Sequence, residues 1–184
     1  MKYLDRFQEV LINPTQEQME LRDPIMVFSF YLSGRVAVLS HFSAEILEHL
    51  DEGFSAQPLD GSRVERADSL MWLWLLGAYE IVRTMTQAEQ CFSVRAMSEL
   101  KNLKKILATA RMPSAKMEKP GRRIPVTSDR SPSGWDFSSR DLLMGDPEAP
   151  VSARFLLSEF DRVLSSIGKG DVVAAHADSY EVRT

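Results

Sequence analysis

The apolar run from Leu70 to Ala78 faces every direction around a helix. It is far shorter than the ~20 apolar residues that a membrane-spanning helix needs. A helix that is apolar on all sides is normally enclosed by protein. We therefore expect a helix over residues 63–86 to form the centre of the core. Its main stripe consists of Val64, Met71, Leu75, Ala78, Val82 and Met85, and the other directions are covered by Trp72, Leu73, Trp74 and Leu76.

A capping residue followed by proline marks the start of an earlier helix. Asp23 precedes Pro24, and proline is well tolerated at the first helical position. The apolar spacing predicts that this helix runs to about Leu50 and stops near Gly53. A shorter helix is predicted over residues 3–12.

Capping signals also frame the helices that follow. Ser62 and Glu65 have the spacing of a capping box at the start of the central helix. Ser93 predicts the start of a third long helix, which we expect to end before Pro113 because proline breaks a helix interior. A final helix is predicted over residues 152–167.

The segment from residue 113 to residue 150 differs in composition from the rest of the chain. It holds six of the nine prolines, so helix is excluded for most of its length. Ile124–Val126 and Trp135–Phe137 are candidate strands of a small hairpin across the turn-rich residues between them. The aromatic residues Trp135 and Phe137 favour attachment of the segment to a core.

Together these patterns predict a mainly α fold. The expected architecture is a bundle of four to five helices with a Pro/Gly-rich excursion that contains the candidate hairpin. We expect one helical domain over residues 1–170, with the excursion at 113–150 inside it, and a flexible tail over residues 171–184.

Cysteine content and the N-terminal residues bear on the cellular compartment. Cys91 is the only cysteine, so no internal disulfide can form, which fits a reducing compartment. The first eighteen residues mix acidic with apolar side chains, unlike a secretory leader. These features predict a cytoplasmic protein that does not enter a membrane.

The best metal candidate is a set of helical positions four apart: His41, Glu45 and His49. Metal-binding helical bundles take carboxylates from all four helices and a Glu-x-x-His pair from two of them. The sequence contains no Glu-x-x-His, so we interpret these residues as a solvated polar face and predict no metal. Nucleophile-elbow, phosphate-loop and dinucleotide-binding motifs are also missing, so no cofactor is predicted.

One pair of residues suggests an enzymatic alternative. Arg35 and His41 are separated by five residues, and this spacing resembles the Arg-x4–6-His pair of HEPN-type helical ribonucleases. The resemblance covers these seven residues, and Val36 stands where that family often has a polar residue. It implies that Arg35 and His41 act on RNA phosphate at a dimer interface.

Charge is distributed unevenly along the chain, whose net charge is −4. Residues 101–130 contain nine basic and two acidic residues, which leaves a net charge of −11 on the remainder. Clustered positive charge displaces counterions from phosphates, so this basic segment is a candidate anion-binding surface. A solvated face, or one neutralised by the protein's own acids, is the competing interpretation. The candidate residues are Lys101, Lys104, Lys105, Arg111, Lys116, Lys119, Arg122 and Arg123.

The sequence therefore favours a non-enzymatic binding or assembly module over an enzyme. Apolar helix surface would serve a protein partner or self-association as a homodimer, and the basic segment would contact an anionic partner such as nucleic acid. The alternative is a helical ribonuclease or RNA-processing enzyme that uses Arg35 and His41.

Overall fold

The computed structural model describes residues 2–3, 5, 13–119, 121, 124–126 and 131–177, and its fold is mainly α-helical, as predicted. Six helices have defined bounds: α1 Gln16–Arg22, α2 Pro24–Phe28, α3 Phe30–Ser55, α4 Gly61–Gln87, α5 Val94–Lys116 and α6 Ala153–Ser166. A short 3-10 helix, Glu89–Cys91, precedes α5. Most of the helix predicted over residues 3–12 lies outside the described residues.

A small antiparallel sheet follows α5. Its strands are β1 Ser133–Asp136, β2 Asp141–Asp146 and β3 Ala149–Ser152, with β2 in the middle. The predicted pairing of Ile124–Val126 with Trp135–Phe137 is wrong, because Trp135 pairs with Leu142 and Pro125 forms an isolated bridge with Glu118.

A tight turn explains why β1 pairs with the strand after it. The Asp136 carboxylate accepts hydrogen bonds from the hydroxyls of Ser138 and Ser139, each at 2.7 Å. These hydrogen bonds lower the pKa of Asp136 to about 2. Arg140 completes the turn with a φ of 54°. The chain therefore reverses immediately after β1 rather than before it.

Contacts divide the structure into two compact units. The first unit is Met1–His41, Glu80–Lys104 and Phe160–Thr184, and the second unit is Phe42–Tyr79 and Lys105–Glu159. The predicted single domain over residues 1–170 stays a prediction. Large, fully buried side chains of the first unit include Tyr3, Ile25, Phe28, Leu100 and Phe160. Those of the second unit include Ile46, Leu50, Met71, Trp74 and Leu75.

Ser29 interrupts the helix that was predicted to run unbroken from Pro24 to about Leu50. Its backbone is extended, and its hydroxyl accepts a hydrogen bond from the Leu32 amide at 3.2 Å, so it caps α3. The prediction of one continuous helix was therefore wrong. The helix α3 also continues to Ser55, beyond the predicted stop.

Asp23 starts α2 without capping it through its side chain. Its buried carboxylate instead accepts hydrogen bonds from the Tyr3 hydroxyl at 3.0 Å and the Ser33 hydroxyl at 2.5 Å. A buried carboxylate needs such donors to offset its lost hydration. This network ties residue 3 to the first turns of α3.

The start of α4 is capped by Asp60 rather than by the predicted Ser62. The Asp60 carboxylate accepts hydrogen bonds from the amides of Ser62 at 3.1 Å and Arg63 at 3.3 Å. The predicted capping box of Ser62 and Glu65 is wrong, because Asp60 already satisfies the amides at this end of the helix.

The apolar surface of α4 is only partly enclosed. The whole predicted stripe is buried, which confirms that side of the helix. Trp72 and Leu73, however, are 44% and 50% exposed, so the expectation of protein on every side was wrong. Both lie off the stripe that packs into the core. No helix within the described ranges is long and apolar enough to cross a membrane.

Helix α5 begins as predicted and ends later. The Ser93 hydroxyl accepts a hydrogen bond from the Ala96 amide at 3.1 Å, which confirms the cap. The helix then continues through Pro113 to Lys116, so the predicted end before Pro113 is wrong. The final helix, α6, matches its predicted range within one residue at each end.

The residues after α6 make specific contacts in the first unit. The Val173 amide donates to the Cys91 carbonyl at 2.9 Å, and the His176 amide donates to the Phe28 carbonyl at 2.8 Å. The predicted flexibility of residues 171–184 stays a prediction, and residues 178–184 lie outside the described residues.

Asp171 holds this segment to α5 and should make the fold sensitive to acid. Burial tends to raise the pKa of Asp171, but hydrogen bonds from Arg95, Ser93 and the Gly168 amide outweigh it and lower that pKa below 3.8. The stabilisation from this lowered pKa is fully present above the ordinary carboxyl pKa of ~4 and is lost as the pH falls through the lower folded-state value.

Urea unfolding at a series of pH values, for wild type and Asp171→Asn, measures this effect. We expect the wild type to be the more stable protein at pH 6, with the difference shrinking below pH ~4. A difference between the two proteins that does not change with pH would contradict the assignment.

Candidate functional site

Arg35 and His41 lie on α3 and are both exposed. The Arg35 guanidinium donates to the Tyr31 hydroxyl at 2.7 Å and lies 4.7 Å from the centre of that ring. Positions six apart on an α-helix point about 120° apart and lie ~9 Å apart along the axis. One copy of α3 therefore does not bring the two side chains onto one face, and their ribonuclease role stays a prediction.

In the first unit, the basic segment contributes Lys101 and Lys104. The Lys101 ammonium pairs with the Glu89 carboxylate at 2.6 Å, whereas Lys104 is half-buried. Part of this charge is therefore neutralised by an acid of the same unit.

In the second unit, two further basic side chains also have partners. The Arg111 guanidinium lies 4.9 Å from the centre of the Tyr79 ring. The Lys119 ammonium pairs with the Glu148 carboxylate at 3.1 Å and lies 3.9 Å from the Asp146 carboxylate. These contacts compete with an external anion.

The remaining predicted anion-binding residues are Lys105, Lys116, Arg122 and Arg123. Lys105 and Lys116 are exposed, and no ion pair joins either of them to an acid in the described part of the chain. Arg122 and Arg123 lie outside the described residues. Anion binding by the basic segment stays a prediction.

The polar face considered for metal binding is occupied by ion pairs. In the second unit, Glu45 lies 3.7 Å from His49 and 3.6 Å from Arg66, and Arg63 pairs with Glu52. Among the described residues, no group of three or more His, Cys, Asp or Glu side chains is placed to hold a metal ion.

The second unit also contains a groove that was not predicted from the sequence. Its volume is about 390 Å³, within the range of ~300–1,000 Å³ typical of small-molecule sites. The exposed Trp72 and Leu73 contribute large apolar surface, and the buried Met144 also lines the groove. The lining residues are Asp68, Ser69, Trp72, Leu73, Ser114, Pro132, Ser133 and Met144.

A hydrogen bond fixes Trp72 at the edge of this groove. The Trp72 indole N–H donates to the Ser114 carbonyl at 3.2 Å. Tryptophan offers a large apolar body with one polar group, so a single hydrogen bond can hold the ring while its face stays accessible. Trp72 is therefore oriented before any ligand arrives, which lowers the entropic cost of binding.

The position of Ser114 depends on the continuation of α5 past Pro113. Proline has no amide hydrogen, so the Thr109 carbonyl cannot receive the usual helical hydrogen bond from position 113. Gly145 of β2 packs against this part of α5. A Cβ atom on Gly145 would lie 3.0 Å from the Thr109 carbonyl oxygen and 3.0 Å from the Ala110 Cα.

Asp68 supplies the charge in the groove. It is half-buried, and its carboxylate accepts a hydrogen bond from the Ser133 hydroxyl at 3.1 Å. Burial raises the pKa of Asp68, the Ser133 hydrogen bond opposes that rise, and the negative charge of Glu65 adds to it. The carboxylate is therefore poorly solvated for a charged group.

One signal in the sequence could have indicated this groove. Asp68 and Ser69 lie four residues before Trp72 and Leu73, so polar and apolar side chains share one exposed face of α4. The groove combines exposed apolar surface, an oriented aromatic ring and a poorly solvated carboxylate.

Comparison of the chain with protein-family models, curated proteins and solved structures finds no match.

Proposed function

We propose that the protein is a non-enzymatic binding module that holds an apolar segment of a protein partner in the groove of the second unit. The observation that carries this proposal is the exposure of Trp72 and Leu73, 44% and 50%, beside a cavity of about 390 Å³. Large apolar side chains exposed together at a concave surface are typical of interaction sites.

The rigidity of the groove supports recognition of a defined ligand shape. Trp72 is held by the Ser114 carbonyl. Tryptophan is enriched among the residues that contribute most to binding at protein interfaces, because one ring removes much apolar area from water. The Trp72 ring is thus the main contact that we propose for the partner.

Two serine hydroxyls of the groove form hydrogen bonds within the protein. The Ser133 hydroxyl donates to Asp68, and the Ser114 hydroxyl donates to the Ala110 carbonyl at 2.9 Å. A catalytic serine needs a base oriented by a third group. The observed contacts instead fix the walls of the groove, in keeping with binding.

A titration with a neutral dipeptide tests the proposal. The probe is N-acetyl-leucyl-norleucine amide, which presents two apolar side chains without charge. We expect a Kd of about 1 mM for wild type by calorimetry, as is usual for a ligand of this size. Trp72→Ala should lose measurable binding.

Val94→Ala is the matched control, because Val94 is 90% exposed but lies in the first unit and outside the groove. Its affinity should equal that of wild type. Equal loss of affinity in both variants, or no binding by wild type, would contradict the proposal.

Three further interpretations from the sequence stay predictions: contact with nucleic acid through the basic segment, self-association as a homodimer, and a cytoplasmic location. The groove proposal requires none of them, because all of its residues belong to the second unit of one chain.

A further inference from the structure

We propose that the groove selects a partner segment that carries a lysine or arginine side chain beside its apolar residue, with Asp68 as the group that binds the cation. This inference rests on the proposed function, since it names the chemistry of the segment that the groove accepts.

Asp68 lies one helical turn before Trp72 on the same face of α4, and both residues line the groove. A ligand packed against the Trp72 ring is therefore within reach of the carboxylate. An ionised carboxylate can accept about four hydrogen bonds. The Ser133 hydroxyl supplies one at 3.1 Å, so the Asp68 oxygens retain acceptor capacity for a donor that enters the groove.

The electrostatic environment of Asp68 favours a positive ligand. Among the residues that the structure describes, Glu65 places a second negative charge near this carboxylate. An uncharged apolar ligand would displace water from Asp68 without offering a hydrogen bond in its place, which costs free energy. An ammonium or guanidinium group would replace that water with a charge-assisted hydrogen bond. A negatively charged ligand would be repelled.

The rest of the lining suits the stem of a basic side chain. Leu73 and Pro132 provide apolar surface on which the methylene groups of lysine or arginine can pack. A basic side chain can thus pack its stem on this apolar lining with its charged end at Asp68.

Three dipeptides of nearly equal size test the inference: N-acetyl-leucyl-lysine amide, its norleucine analogue, and its glutamate analogue. We expect wild type to bind the lysine probe roughly tenfold more tightly than the norleucine probe, and the glutamate probe most weakly. In Asp68→Asn, which keeps the size of the side chain, the lysine and norleucine probes should bind equally.

Glu48→Gln is the control variant, because it removes one exposed negative charge from the second unit outside the groove lining. It should keep the roughly tenfold preference. Urea unfolding of each variant establishes that the variant is folded. The comparison of the three probes on wild type does not depend on any variant.

The outcomes separate the two proposals. Equal binding of the lysine and norleucine probes by wild type would overturn the role of Asp68 and leave the groove intact. A preference for lysine that persists in Asp68→Asn would do the same. Failure of every probe to bind wild type would overturn the proposed function as well.

Discussion

Replacing Trp74 with alanine is expected to lower the free energy of unfolding by about 3–5 kcal/mol. Trp74 lies on α4 and is completely buried, so the substitution removes a large apolar side chain from the core and leaves a cavity that the helix cannot fully close. Urea unfolding followed by circular dichroism measures the loss, and a cost below ~0.5 kcal/mol would refute the placement of Trp74 in the core.

Trp72→Ala is the matched control, because it removes the same side chain from the same helix at an exposed position. Trp72 is 44% exposed, so its loss should cost about 1 kcal/mol or less. The pair of substitutions separates the buried side of α4 from the side that faces the groove. Equal costs would contradict the difference in burial between the two rings.

Replacing Gly145 with alanine should cost about 2–4 kcal/mol, the second-largest effect that we expect. Gly145 has a φ of 98°, a conformation that side chains with a Cβ atom rarely adopt. The added methyl group would also press on the backbone of α5 at Thr109 and Ala110. Because Ser114 follows on the same helix, the variant should bind the neutral dipeptide less tightly as well.

Gly134→Ala in the neighbouring strand β1 provides the comparison. A Cβ atom at Gly134 would meet no atom of the described residues within 4 Å beyond its chain neighbours, and the φ of Gly134 lies outside the left-handed range. We expect its stability to stay within about 0.5 kcal/mol of wild type. Thermal unfolding of both variants measures the difference. Similar stability for both would mean that β2 does not approach α5 as described.

The sequence was a good guide to the helices because their burial is periodic. The stripe from Val64 to Met85 predicted the buried side of α4, and Ser93 predicted the start of α5. The predictions from the sequence are wrong where a single local hydrogen bond determines the backbone conformation. Ser29 breaks a helix that its neighbours would continue, and Asp60 caps α4 in place of Ser62.

The groove was missed because it depends on contacts between residues distant in sequence. The apolar character of Trp72 indicated burial, whereas the structure leaves it half exposed and fixed by Ser114. That contact requires a helix that passes through Pro113, against the usual effect of proline. Asp68 and Ser133 lie 65 positions apart in the chain, and no local pattern joins them.

Indole resonances give the most direct test of the groove. The protein contains three tryptophans, and labelling their indole nitrogens with nitrogen-15 gives one signal each for Trp72, Trp74 and Trp135. Trp74 is fully buried and Trp135 is 38% exposed, so they report on the core and on an exposed ring that is not part of the groove lining. On titration with N-acetyl-leucyl-norleucine amide, we expect a saturable shift of the Trp72 signal while the other two stay in place. A Trp72 signal that does not move, or one that moves only as much as that of Trp135, would contradict the account.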